Sequence, residues 1–486
     1  FEALKNNNKK VLFSYKALVI SESFTDTLVN NQKAIFNFGA TTGTVSVTAE
    51  SGAQIIFDSA DILGDDSVKV ATVTGATASY DLNNADITAA GGLLKGEDIN
   101  NDGTITFSLA QNAAAQLYNQ SNPVRDMTLD VIGNANGAYD SSDAGVYYIG
   151  AMNAHNGGAD IERTARMAVY AGAVQATLMA QQTSTDAVSE RLGMANPNSA
   201  LIASNNGQGG GLWLSPVYKN HDSDGFEAEG VNYGADIDLY GLALGADFTT
   251  ESGVRVGAMF NVGSGDAEGQ GIGESVSNDF DYYGFTLYAG VTFGNFALTA
   301  DAGFTQVSND LEQAVNYHGV GTLTADTDTQ TVSVGVRGEY LFATPYVDIV
   351  PHVGLRYTNL DLDSYEARFN GYTVAATDAD NMSVFSIPFG VTFSKELSMG
   401  NWLVKPVFDL NLTANAGDDE IDTNTTFVGV ESVALTSEVM DSFTYGASLG
   451  IDAQYQESIS FGLNVGYTGS SNADEFGLNA NARYVF

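Results

Sequence analysis

The 486-residue chain has no cysteine, which excludes disulfides and thiolate metal sites. Such avoidance fits an exported protein that crosses an oxidising space unfolded. Basic residues are scarce: 19 Lys and Arg against 59 Asp and Glu leave a formal net charge of −40. That balance rules against nucleic-acid binding through phosphates and against attraction to anionic lipid by surface charge alone. Proline is rare, at 7 residues. No apolar run approaches the roughly 20 residues that a membrane helix needs. An alternating membrane β-barrel lacks such a run as well. The chain opens FEALKNNNKK, with no charged-then-apolar leader and no initiator methionine. Upstream sequence, including any signal peptide, is expected to precede it.

What is present is glycine (53), phenylalanine (26) and tyrosine (23), a mixture suited to many strands joined by polar turns. Three textures follow one another. Residues 1–150 mix short β-like runs such as TVSVTAES and AQIIFD with Gly, Asn and Asp turns. Their spacing resembles a β-solenoid or a compact β-domain, without a sharp repeat. Residues 160–192 lack proline, are rich in alanine and predict one helix, with Asp160 as N-cap and Gly193 as its stop. Its small residues (Ala165, Ala168, Gly172, Ala173, Ala176) make it slim. Polar residues are spread around its circumference, which suits no ordinary core. As one piece it is roughly 50 Å long at about 1.5 Å per residue.

From Gly211 onward alternation dominates. Tyr240, Leu242, Leu244, Ala246 and Phe248 share one face, and Tyr283, Phe285, Leu287, Ala289, Val291 and Phe293 another. Rings gather at both ends of these faces, as the two aromatic girdles of a membrane barrel require. Charges fall on the opposite face: Asp247, Arg255, Asp301, Arg337, Glu339, Asp348, Arg356, Lys405, Asp409, Asp452 and Arg483. A charge facing lipid at mid-depth costs about 2–4 kcal/mol, so these predict a wet lumen. Twelve strands are expected, starting near residues 211, 236, 253, 280, 295, 329, 345, 382, 401, 441, 457 and 475. Tight turns at 249–252, 294–295 and 343–345 alternate with long loops at about 220–235, 306–328, 359–381 and 413–438. Short turns on one side and long loops on the other are the rhythm of an outer-membrane barrel.

GLWLSPVYKN followed by YGADIDLYGLALGADF resembles the opening of the translocator barrel of autotransporters, the type V secretion family. The stretch ATLMAQQTSTDAVSERLG is similar to the segment that runs through the lumen there. The terminal ARYVF, with Tyr484 and Phe486, resembles the aromatic-ended last strand that the barrel assembly machinery recognises. The resemblance implies a mainly β fold: a 12-stranded antiparallel transmembrane β-barrel over 211–486 with an α-helix in its lumen. It also implies a linker and pore helix over 151–210, and a β-rich, solenoid-like passenger segment over 1–150 outside the cell. The implied partners are outer-membrane lipid, the barrel assembly machinery and periplasmic chaperones, with passenger self-association as a further expectation. A translocator anchoring an adhesive or structural passenger is the first functional reading, and a diffusion porin with an accessory domain is the rival.

Sharper sites are few. Asp98, Asn100, Asp102 and Thr104 in DINNDGTITF have the alternate spacing of a calcium loop, but its twelfth position is Leu109 in place of the bidentate acid. A turn between strands explains the same residues. Calcium in the passenger segment is thus the one cofactor to weigh. The histidines at 155, 221, 318 and 352 are scattered, against a zinc site. His221, with Asp222 and Asp224, is expected on the first outer loop. No nucleophile elbow or Ser–His–Asp signature appears in 1–150, and the helix has no Asn–Asn pair for self-cleavage. No enzymatic activity is expected.

Overall fold

The computed structural model describes residues 9–13, 18–21, 36–39, 43–58, 67–133, 156–195, 210–317, 320–430, 432–455 and 459–485. In the amino-terminal region strands stack in parallel. β1 (Lys9–Phe13), β4 (Thr44–Ala49) and β8 (Thr77–Asp81) form one ladder. β2 (Leu18–Ser21), β5 (Gln54–Asp58) and β9 (Asp86–Ala89) form a second, and β3 (Phe36–Gly39) with β7 (Ala71–Thr74) a third. β10 (Leu94–Glu97) then reverses against β9. It leads through a hairpin to β11 (Thr104–Leu109), whose other edge takes β6 (Ser67–Lys69). The antiparallel hairpin covers an edge that would otherwise offer free N–H and C=O groups. Val45, Val47, Ile55, Phe57, Ile87 and Ile105 are buried within, and the Phe57 and Phe107 rings meet edge-on at 5.3 Å. Two helices follow, α1 (Ala113–Gln116) and α2 (Asn122–Gly133).

The expected single helix is three pieces: α3 (Ala159–Ala165), α4 (Met167–Tyr170) and α5 (Ala173–Leu192). Asp160 is not the N-cap. Gly158, in the left-handed region, holds that place, and Asp160 lies in the first turn bonded to Arg163 at 2.8 Å. The chain breaks at Arg166 (φ −127°) and at Gly172 (φ +70°). Gly172 is required twice over, because a Cβ there would also lie 2.9 Å from the Cβ of Ala235. α5 ends at Gly193, as expected, though in extended conformation.

Twelve strands cross the barrel: β12 (Gly210–Ser223), β14 (Val231–Thr249), β15 (Arg255–Gly271), β16 (Val276–Phe293), β17 (Phe296–Tyr317) and β18 (Val320–Tyr340). The others are β20 (Asp348–Leu362), β23 (Met382–Ser394), β25 (Trp402–Gly417), β28 (Phe443–Tyr455), β29 (Ile459–Gly469) and β30 (Ala473–Val485), with short β19 (Phe342–Ala343) and β24 (Leu397–Met399) paired to β20 and β25. Every pairing among them is antiparallel, and β30 closes on β12 through Gly211–Val485 to Ser223–Ala473. β14 begins at Val231 and not near 236, and β18 at Val320 and not near 329, but the strand count and the other starting points agree with the alternation.

The long loops do not. Residues 306–317 and 320–328 continue β17 and β18, while 365–379 and 420–438 hold the hairpins β21 (Tyr365–Phe369) to β22 (Tyr372–Ala379) and β26 (Glu420–Phe427) to β27 (Ser432–Glu438). β22 also pairs with β26, joining neighbouring hairpins into one wall. In the first connection β12 runs on to Ser223, and β13 (Phe226–Ala228) pairs back onto β14. The reason is an inversion of polarity. On β17, Phe296, Leu298 and Phe304 face outward in the apolar band. Beyond it Ser308, Asp310 and Glu312 take the outer face, while Val307, Leu311 and Val315 turn inward. β14 does the same, with Asp236 and Asp238 outside and Tyr233, Ile237 and Leu239 inside. The barrel thus continues beyond the lipid as an ordinary water-facing β-wall with an apolar interior.

That interior forms one continuous hydrophobic cluster with the amino-terminal region: Val124 and Val131 of α2, Ile161 of α3, Tyr170 of α4 and Leu311, Tyr365 and Phe427 of the wall all belong to it. Gly172→Val should cost the about 1–3 kcal/mol of stability that a strained left-handed residue costs, read as a lower unfolding midpoint in detergent micelles. An unchanged midpoint would show that the break between α4 and α5 is not needed.

Candidate functional site: the lumen and its helix

The lipid-facing band fixes the level of every other group. Across it stand Leu244, Phe260, Phe285, Val334, Ile387 and Leu463, all exposed. Paired rings mark both rims: Tyr218–Tyr240 and Tyr357–Phe385 at the long-hairpin end, and Trp402–Tyr455 at the short-turn end. Tyr484 is exposed on this band and pairs with Leu212 and Ile459, whereas Phe486 lies outside the described residues.

All eleven charges assigned to the lumen by alternation face inward, and most have partners there. Asp247 binds Arg191 of α5 through two bonds of 2.6 and 2.7 Å, and Arg255 as well. Trp213 donates to the Tyr288 hydroxyl at 2.8 Å, which donates to Asp247 at 3.0 Å. Arg483 is buried beside the same cluster, with its guanidinium near Gly211. Arg356 and Asp301 pair through two bonds of 2.9 Å. Glu339 accepts from Arg337 at 2.8 Å and from the backbone N–H of Met194 at 2.7 Å. Asp409 contacts His352 at 3.0 Å. Lys405 and Asp452 are buried register partners across β25 and β28, and Asp348 starts β20 at the short-turn end.

α5 lies along the wall made by β14 to β18. Thr177 bonds to Thr329, Gln181 donates to Ser333 at 3.1 Å, and Arg191 reaches Asp247 below. Lys219, not singled out from the sequence, ties Asp186 of α5 (3.0 Å) to Glu475 of β30 (2.9 Å). A helix with polar residues all round is unsuited to an oil-like core but fits a lumen that offers partners on every side.

Glycines on the lumen face do not leave open space for the helix. A Cβ on Gly241 would strike the Tyr282 hydroxyl at 1.9 Å, on Gly245 the Trp213 ring at 2.2 Å, and on Gly284 the Asn261 amide at 2.4 Å. They are seats for large side chains of neighbouring strands. Between α5 and the remaining wall lies a cavity of about 530 Å³, lined by α5 and by strands from β12 round to β30.

The upper end of the helical segment is locked differently. Buried Arg166 binds Glu162 (2.9 Å), Glu229 (2.5 Å), the carbonyl of Thr436 (2.8 Å) and the hydroxyl of Ser437 (2.7 Å). Glu162 also accepts from the backbone and hydroxyl of Ser121, both at 2.9 Å, and from Tyr170 at 2.8 Å. One network therefore joins the amino-terminal region, the helical segment and two outer hairpins. Burial alone would pull the Arg166 guanidinium down, but Glu162, Tyr170 and Glu229 outweigh it and hold it above its ordinary value. Burial and Glu162 together push the Tyr170 phenol well up.

The remaining candidates fall elsewhere. Asp98, buried in the β10–β11 turn, accepts from the N–H groups of Asp102 (3.0 Å) and Gly103 (2.9 Å). Asp102 accepts from the N–H of Thr104 at 2.9 Å, Lys69 sits 3.5 Å from its carboxylate, and Asn100 is exposed. These oxygens serve a hairpin turn, and among the described residues no group of three or more His, Asp or Glu side chains is arranged to hold a metal ion. His221 is not on a loop: it belongs to β12 and lines the cavity. The helical segment's charges lay in the sequence, but only the fold shows which strands they meet.

Removing one partner of the buried Arg191–Asp247 pair leaves an uncompensated charge, which typically costs 3–5 kcal/mol. Asp247→Asn and Arg191→Gln should each lower the heat resistance of the detergent-solubilised barrel. The double variant should lose less than the sum of the two. Additive losses would show that the pair does not couple helix to wall.

The model of the autotransporter beta-domain family matches residues 212–466, more than half of the chain. Among solved structures, the translocator domain of the autotransporter NalP from Neisseria meningitidis has a TM-score of 0.50 at 16% identity, over 65% of this chain and 99% of that one. The beta domain of the Bordetella autotransporter BrkA (TM-score 0.41, 18% identity) covers 57% of this chain and 98% of its own. The transport unit of AIDA-I from Escherichia coli (0.41, 12%) covers 63% and 98%. No curated protein matches the sequence. The chain belongs to the autotransporter family, and its barrel is a translocator of the Gram-negative outer membrane.

Proposed function

We propose that this translocator, having exported its amino-terminal passenger, retains it at the cell surface and closes its own pore with α5. The observation that carries the reading is the pair of networks that fix the helical segment: Arg166 with Glu162 and Glu229 above, Arg191 with Asp247 below. A helix held at both ends and along its length blocks the wall it covers. The passenger is read as adhesive or structural, ending in a β-solenoid whose parallel ladders are β1–β4–β8, β2–β5–β9 and β3–β7, and without enzymatic activity. Deleting residues 160–192 should raise single-channel conductance in planar bilayers severalfold. Equal conductance with and without the segment would remove the plug.

The membrane lipid around the barrel follows from its apolar band. Recognition by the barrel assembly machinery, and escort by periplasmic chaperones, rest on the resemblance of the last strand. Tyr484 faces the lipid in register with Leu212, a position from which an aromatic end can be read before closure. Phe486→Ser should reduce the amount of barrel assembled in the outer membrane while leaving the heat resistance of the assembled fraction unchanged. Equal assembly of variant and parent would leave the terminal ring no role as a signal.

A further inference from the structure

Above the membrane the wall is a second ring. From β13 round through β14 to β18, then β21, β22 and β26 to β27, each strand pairs with the next through its main chain. At the remaining seam β27 meets β13, and among the described residues no main-chain pair joins them. Side chains close it instead. Thr436 gives its N–H to the Glu229 carboxylate at 3.2 Å and offers its C=O to Arg166 at 2.8 Å. Glu438 accepts from the Glu227 N–H at 3.3 Å with its carboxylate and from the Tyr233 hydroxyl with its carbonyl. Arg166 also pairs with Glu229, so it spans both edges.

Glu229 is an unusual residue for its place. With Gly230 it forms the two-residue turn between Ala228 and Val231, at φ +50° and +102°. Such a turn favours Asn, Asp or Gly at its first position, and a left-handed Glu carries backbone strain. Asn or Asp would ease the turn, but each is a methylene shorter than the side chain that meets Arg166 and Thr436. The carbonyl of Glu229 accepts from the Asn122 N–H at 3.3 Å, and the Ser121 hydroxyl accepts from Arg166 at 3.3 Å. The seam is therefore complete only when the end of the amino-terminal region is seated on it.

Inside the ring Phe226, Val433 and Leu435 pack in one cluster with residues of α2, α3 and α4. A close-packed interior has no room for a further strand, so a chain in transit requires the ring to widen. Opening a ladder gives up a row of main-chain bonds, whereas opening the seam gives up side-chain bonds alone. Without Arg166 the Thr436 carbonyl and the Glu229 carboxylate each lose a donor within the seam, a loss that water repairs once the edges part. We propose that the β13–β27 seam is the slit through which the ring widens for the passenger, and that Arg166 is the bolt that shuts it afterwards. The inference rests on the export reading and adds which part of the wall moves.

The chain has no cysteine of its own, so introduced pairs report on the seam directly. Glu227→Cys with Glu438→Cys bridges it. Asp266→Cys with Asp279→Cys, at register partners on β15 and β16, bridges an intact ladder. Each pair is treated on whole cells with a short, membrane-impermeant bis-maleimide. The full chain is compared with one stalled midway, part of its passenger already at the surface, by a tightly folding domain fused to its amino terminus. The stall should lower the seam yield at least threefold and leave the ladder yield unchanged. Equal seam yields, or an equal fall at both pairs, would overturn the slit. In the unfused chain Arg166→Gln and Glu229→Asn should each lower the seam yield at least twofold at unchanged ladder yield. Asn suits the turn better than Glu, so its effect does not come from a weakened hairpin. An unchanged seam yield in both variants would overturn the bolt. Export is read separately: a passenger of the unfused chain that stays inaccessible to surface protease defeats the export reading itself.

Discussion

Closure of the sheet is the constraint on which everything else depends. Hydrocarbon offers no hydrogen bonds, so each strand must find partners on both edges and the last strand must meet the first. The β12–β30 seam meets this demand even across a proline. Pro216 has no N–H to give the carbonyl of Ala480, and the ladder skips from Leu214–Ala482 to Val217–Asn479. The hydroxyl of Ser215 donates to that carbonyl at 3.0 Å instead. A side chain thus substitutes for the missing main-chain donor.

Once the sheet is closed, period-two alternation has only one question left at each residue: which side is wet. Between the girdles the outside is lipid and the inside water, so Phe304 faces out and Asp301 in. A few residues beyond, the outside is water and the inside is packed with α3, α4 and α2, so Glu312 faces out and Leu311 in. The backbone does not change at the crossing point; only its surroundings do. The same logic explains α5. Its Thr177, Gln181 and Arg191 are buried because the lumen wall supplies Thr329, Ser333 and Asp247 as partners.

This also explains what was legible in the sequence. Strand number, inward charges and the position of the helical segment follow from alternation, composition and glycine placement, which are local. The strand lengths beyond the girdles did not follow, because a scan for one apolar face stops where the face changes sides, although Val307, Leu311 and Val315 keep the period. Gly172 read as one more small residue in an alanine-rich run, since nothing local distinguishes a slim position from a left-handed one. Lys219 carries no local signal, because its two acids, Asp186 and Glu475, are remote in sequence and meet only through the closed sheet. The Arg166 network was invisible for the same reason: its members come from four separate stretches between Ser121 and Ser437.

The two ionic clusters are better understood as setting register than as supplying stability. Burying a charged pair costs about as much desolvation as the attraction returns, so its net contribution to folding is small. Its contribution to position is not. Sliding α5 by one residue turns it by about 100°, which carries Arg191 away from Asp247 while Glu339 loses the N–H of Met194. The upper cluster is stricter, because Glu162 must meet Ser121, Tyr170 and Arg166 together, and Arg166 must at once meet Glu229 and Ser437. Any other register leaves buried charges unpaired at both ends, at several kcal/mol each. The breaks at Arg166 and Gly172 let the two ends be set independently, so a polar helix that packs poorly in the ordinary sense still occupies a single position in the lumen.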